Sequence, residues 1–136
     1  MPRFVLLEHD HPTLHWDFML ESGKTLKTWR LPEPFVAMNG HLEQELHQFA
    51  ETEIKLTVFQ LPDHRMQYLD YEGPVSGNRG CVKRIDQGMY ILLSQSENSW
   101  EVRIEGEKSS GFLSLTRKKN SSSEEWILLF LPELRE

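Results

Sequence analysis

From Leu14 to Glu21 the chain alternates strictly: Leu14, Trp16, Phe18 and Leu20 fall on one side, and His15, Asp17, Met19 and Glu21 on the other. A period of two is the signature of a half-buried strand, because successive side chains leave opposite faces of the pleat. Ser22-Gly23-Lys24 then reads as a hairpin turn into a second run, Thr25–Leu31. The same grammar recurs. Phe4–Leu7, Ile54–Leu61, Met66–Glu72, Cys81–Ile85, Gly88–Leu93, Trp100–Glu105, Gly111–Thr116 and Trp126–Leu131 read as strands set apart by turn residues. Short strands at intervals of roughly 8–12 residues predict an all-β fold, here a compact single β-barrel. One short helix is expected over His41–Ala50, where Leu42, Leu46 and Phe49 recur at helical spacing. At 136 residues the chain is expected to form one domain, 1–136.

Charge and cysteine usage narrow the function classes. A net charge of −6 argues against a protein that coats nucleic acid through a broad basic surface. It leaves room for an enzyme that grips only a strand end, where few phosphates are touched and a bound divalent cation supplies local positive charge. No apolar run approaches the roughly 20 residues of a membrane span. The apolar start, Phe4 to Leu7, meets Glu8 and is too short for a signal peptide. Cys81 is the single cysteine, so no internal disulfide framework exists; a reducing, cytoplasmic setting is expected, with Cys81 as a small filler. A monomer without membrane contact is the expectation.

The chemistry concentrates near the start. His15 and Asp17 share one face of the alternating strand, and Pro12 interrupts the chain so that His9 can lean back onto that face. Two imidazoles and a carboxylate arranged in this way can hold a divalent metal and leave positions open for substrate. The plainer alternative is a row of polar residues lining the wet face of an edge strand. His11 reads as a solvated turn residue, and Trp16, Trp29, Trp100 and Trp126 as core side chains rather than a base-stacking platform.

The order of motifs resembles a known family, the 3′-phosphoesterase module of bacterial and archaeal DNA ligase D, which also occurs as a stand-alone protein. His9-Asp10, then Leu14-His15-Trp16-Asp17-Phe18, match its opening motif in spacing, and Leu26-Lys27-Thr28-Trp29 with Pro32 resembles its next segment. Asp63-His64, Tyr68 and Asp70-Tyr71-Glu72-Gly73 resemble its central motif, Gly77-Asn78-Arg79-Gly80 and Asp86-Gln87-Gly88 the loop and strand start that follow. Gly111-Phe112, Leu115-Thr116-Arg117 and Trp126-Ile127-Leu128 fit its end. The resemblance implies a β-barrel with one open polar side that uses Mn²⁺, or Zn²⁺ or another divalent ion, to trim DNA 3′ ends. It implies removal of a 3′-phosphate or a terminal ribonucleoside, leaving a 3′-hydroxyl that a polymerase or ligase can use; for a stand-alone chain the expected partners are a DNA 3′ end and separate repair polymerase and ligase proteins. By position the metal ligands would be His9, His15 and Asp17, and His64 and Tyr68 would bear on the scissile phosphate.

Three positions depart from that pattern. The family carries arginines where this chain has Met19 and Leu56, and a glutamate where Pro62 stands. Arginine binds phosphate through a fixed two-pronged donor set, and methionine has no donor. Arg65 and Arg79, expected in loops near the site, are the candidate substitutes for binding substrate. Three functions are therefore weighed: an active 3′-end phosphoesterase first, then a catalytically weakened barrel that binds metal and DNA ends as a subunit of a repair assembly, and last a metal-dependent barrel enzyme acting on a small molecule.

Overall fold

The computed structural model of the chain describes residues 1–35, 53–119 and 124–133. It is almost all β. The strands are β1 (Arg3–His9), β2 (His15–Ser22), β3 (Thr25–Leu31), β4 (Ile54–Arg65), β5 (Gly73–Pro74), β6 (Cys81–Ser96), β7 (Ser99–Gly106), β8 (Ser110–Arg117) and β9 (Glu125–Pro132). Every pairing is antiparallel, and in the order β1-β2-β3-β4-β9-β8-β7-β6 the last strand pairs back to the first, which closes a ring of eight strands. Short β5 lies outside the ring, against the start of β6. The helix expected over His41–Ala50 lies outside the described residues. No helix among the described residues is long and apolar enough to cross a membrane.

Hairpin chemistry sets the register of the ring. Gly23 and Lys24 form the turn between β2 and β3, with Ser22 paired to Thr25, and Gly23 takes φ +62 at the first turn position, where type II′ hairpins carry glycine. In that register Phe4, Leu6, Phe18, Leu20, Trp29 and Leu31 point into the ring and meet Val58, Tyr90, Trp100, Val102, Ile104, Leu113, Leu115, Trp126 and Leu128. Trp29 stands at the centre, edge-to-face with Trp100 (centroids 6.0 Å) and Trp126 (5.6 Å).

Three expectations are corrected here. Met66–Glu72 is no strand: Met66–Leu69 is a 3₁₀ turn that buries Leu69, and Gly73–Pro74 follows as β5. Cys81–Ile85 and Gly88–Leu93 are halves of one long strand, Cys81–Ser96, which pairs with β1 first and with β7 afterwards. Asp86-Gln87 looks like a turn by composition but continues the strand, since Asp86 finds its partners in the neighbouring β7–β8 connection. Its Oδ1 accepts the amides of Gln87 and Lys108, both at 2.9 Å, and its Oδ2 accepts the Ser109 hydroxyl at 2.5 Å. Cys81 is exposed rather than a core filler.

Burial pushes the Asp86 carboxyl above the ordinary aspartate value, and the donors from Ser109, Lys108 and Gln87 only partly offset it. The native state therefore holds that proton more tightly than the unfolded chain. Its contribution to stability is complete below the ordinary aspartate pKa and is lost as pH rises through the raised native value. Urea denaturation over this window, in chelator, is expected to show wild type losing stability relative to Asp86→Asn. The loss should be about 1.4 kcal/mol for each unit between the two pKa values, and a difference that stays flat with pH would contradict this assignment.

Candidate metal and phosphate site

The outer face of the β1–β2–β3 sheet is not wet along most of its length. Val5, Leu7, Met19, Leu26, Leu69 and Val82 form a second apolar cluster there, joined at its edge by Met66, Tyr68, Tyr71 and Val75. The chain between β4 and β6 thus covers the outside of the ring, and the alternating strand Leu14–Glu21 is buried on both faces. Leu14, expected to lead the apolar face, is exposed at 56% and precedes β2, whereas His15 and Asp17 are 4% and 3% exposed.

His9 reaches the site through the ladder rather than by leaning across a turn. It is the last residue of β1 and pairs directly with His15, while Leu7 pairs with Asp17. Directly opposed residues of an antiparallel pair share a face, so His9, His15 and Asp17 converge. The His9 and His15 rings lie 4.9 Å apart. His9 Nδ1 is 3.7 Å from Asp17 Oδ2, and His15 Nε2 is 3.3 Å from Asp17 Oδ1. One donor atom from each residue lies within 4.8 Å of the other two.

Backbone carbonyls set the tautomers. His9 Nε2–H donates to the Arg79 carbonyl and His15 Nδ1–H to the Thr13 carbonyl, both at 2.8 Å. Each ring then turns its remaining lone pair toward Asp17, the arrangement in which outer partners orient metal-binding imidazoles. His15 Nε2 and Asp17 Oδ1 are fully buried and have no hydrogen-bond partner among the described residues. A lone pair that faces a carboxylate lone pair needs a proton or a cation between them. Burial, the largest influence on His15, opposes its protonation, but the Asp17 carboxylate and the Thr13 carbonyl outweigh it and the net direction is upward. The charge of Arg30 works against that protonation.

The loop that carries His11 is tied to the start of β6, where Asp10 Oδ1 accepts the Cys81 amide at 2.8 Å. Gly80, at φ +76, lies under this contact; a Cβ there would sit 2.1 Å from Asp10 Oδ1 and 2.7 Å from the His11 Cβ. Only glycine fits.

Beside the cluster opens a pocket of about 390 Å³. His9, His11, Asp17, Met19 and Arg30 line it from the sheet, Pro62, His64 and Arg65 from the end of β4, and Tyr68 and Arg79 from the covering segment. The expected His64 and Tyr68 are brought together, with ring centroids 5.9 Å apart. His64 Nδ1–H donates to the Pro62 carbonyl at 2.9 Å, which leaves Nε2 available. Arg65 ends β4 rather than lying in a loop. The Arg79 guanidinium is engaged by Ser76, whose carbonyl accepts Nε–H at 2.7 Å and whose hydroxyl accepts from Nη2 at 3.2 Å. Of the three departures, Met19 and Pro62 do line the pocket. Leu56 does not: it packs in the ring interior opposite Leu128, because one step along a strand reverses the face. No motif in the sequence points to Arg30, but it pairs with Asp17 and alternates with Trp29 and Leu31, which puts it on the face of Asp17.

A closed β ring carries a His-His-Asp cluster, the candidate site, on its covered outer face. A family model, "DNA Ligase D 3'-phosphoesterase domain", matches residues 7–117. The chain belongs to this family. It is also similar to "Multifunctional non-homologous end joining protein LigD" of Pseudomonas aeruginosa, with 28% identity over 93% of this chain. The chain spans 15% of the length of that protein.

Proposed function

We propose that the protein is a divalent-metal-dependent phosphoesterase that trims DNA 3′ ends, removing a 3′-phosphate or a terminal ribonucleoside, in end-joining repair. The observation that carries this reading is the buried, unpartnered pair His15 Nε2 and Asp17 Oδ1 facing the same point as His9 Nδ1. Two neutral imidazoles and one carboxylate suit Mn²⁺, with Zn²⁺ or another divalent ion as alternatives. A bound ion of this kind supplies Lewis-acid polarisation of a phosphoryl oxygen and a more acidic water. The chain's own groups do the rest. Thr13 and Arg79 hold the two rings through their carbonyls. His64, oriented by Pro62, presents Nε2 to hydrogen-bond the phosphate or protonate the departing 3′-oxygen. The Tyr68 hydroxyl donates to a phosphoryl oxygen as charge develops. Arg65 borders the substrate, and separate repair polymerase and ligase proteins would use the resulting 3′-hydroxyl.

Met19 favours a second reading. A side chain without donors lines the pocket where the family presents a guanidinium, which fits a metal- and DNA-end-binding subunit with little turnover. Incubation with Mn²⁺ and a primer ending in a 3′-phosphate or one 3′-ribonucleotide separates the two. Release of a 3′-hydroxyl primer, abolished by chelator, is expected. Metal and primer binding without release selects the second reading, and absence of stoichiometric Mn²⁺ or Zn²⁺ uptake overturns both.

A further inference from the structure

We propose that Arg30 is the anion-binding residue of this site, its guanidinium taking the phosphoryl group of a phosphate ester from β3 in place of an arginine on β2. The inference deepens the phosphoesterase reading and rests on it for the identity of the ester.

Four observations place it there. Arg30 is the direct cross-strand partner of Asp17, so both side chains leave the same face of the sheet. It lines the same pocket as His9, His64 and Tyr68. Its Nε is fully buried with no partner, and no described residue gives Arg30 a hydrogen bond or an ion pair. Its neighbour across the other ladder, Phe59, offers only a ring. The guanidinium is therefore not committed to any described partner, and the part of the side chain that lines the pocket can offer its terminal N–H groups to a phosphoryl oxygen there. Geometry also explains how the chain tolerates Met19. Met19 pairs with Thr28, two residues from Arg30 on the same face, so the two positions lie diagonally across one patch of sheet. A diagonal neighbour is within reach of a long side chain. Arg79 is a weaker candidate for this role, because Ser76 already engages its Nε and Nη2.

The test uses the full chain loaded with Mn²⁺ and two probes, inorganic phosphate and the 3′-phosphate primer. Arg30→Met is expected to leave the melting profile and stoichiometric Mn²⁺ uptake intact. It should weaken phosphate binding by roughly 10- to 100-fold and slow trimming by about 10²- to 10³-fold. Adding Met19→Arg to that variant should restore part of both, which a purely structural role would not produce. Unchanged phosphate affinity in folded Arg30→Met overturns the proposal, as does wild-type protein that binds no phosphate. If Arg30→Met does not fold, Arg30→Gln is read in the same way, and failure of both to fold assigns the guanidinium to structure and overturns it too. Phosphate binding that depends on Arg30 in a protein that trims no primer would instead overturn the phosphoesterase reading and leave this residue's role standing.

Discussion

His15→Ala is expected to abolish both Mn²⁺ uptake and 3′-end trimming. His15 supplies the most enclosed donor of the cluster, with its Nε2 aimed at Asp17 and its opposite nitrogen pinned by the Thr13 carbonyl. Losing a group that merely orients a ligand costs about 10- to 100-fold in metal affinity, so losing the ligand itself should exceed the top of that range. The effect can be read without any enzymatic assay. A ligand at about a hundred times its Kd stabilises the native state by about 2.7 kcal/mol, which raises the Tm of a chain this size by on the order of 10 °C. Wild type should show that rise on adding Mn²⁺, and His15→Ala should not. Asp17→Asn, which keeps the shape but removes the charge, should behave likewise. A Mn²⁺-dependent rise that survives in both variants would sink the metal assignment. If the rise vanished while trimming persisted, the cluster would bind metal without using it.

The second large effect concerns stability. Trp29→Ala is expected to cost about 3–5 kcal/mol, the range for removing a large aromatic side chain from a packed core. Trp29 is fully buried and touches Trp100 and Trp126 edge-to-face, so the cavity would open where the ring's interior cannot collapse without moving several strands. Small domains hold only about 5–15 kcal/mol in total, so the variant should melt far below wild type. Trp29→Phe should cost much less. The indole Nε1 has no hydrogen-bond partner among the described residues, so its removal relieves a buried donor while most of the apolar contact is kept. Guanidinium denaturation in chelator measures both, free of any contribution from bound metal. A loss below about 1 kcal/mol for Trp29→Ala would mean that this indole is not a packing centre.

Much of the site could be read directly from the chain. His15 and Asp17 were placed on one face by their spacing, and the ladder confirms that parity. His64, Arg65, Tyr68 and Arg79 all border the same pocket as His9 and Asp17, although the roughly fifty residues between the two groups give no geometric reason for them to meet, and only the family resemblance pointed to it. Arg30 went unnoticed because a charged residue between Trp29 and Leu31 looks like the solvated side of a strand. Its Nε is nevertheless buried, on a face whose apolar cluster is covered by side chains from the chain between β4 and β6. Leu56 was misplaced for a related reason. A linear match carries no information about which way a side chain points, and in β4 the outward positions are Lys55, Thr57 and Phe59 rather than Leu56.

Local pattern decided the strands. Alternation, turn residues and the Gly23 hairpin depend on contacts between near neighbours, and those survive whatever the rest of the chain does. Sequence alone therefore determined an all-β fold and put an imidazole next to a carboxylate. Where β6 changes partners, where Asp86 finds its donors and what covers Asp17 depend on residues far away along the chain. Burial is a property of the closed ring with its outer cover, and burial is what leaves two lone pairs facing each other with nothing between them.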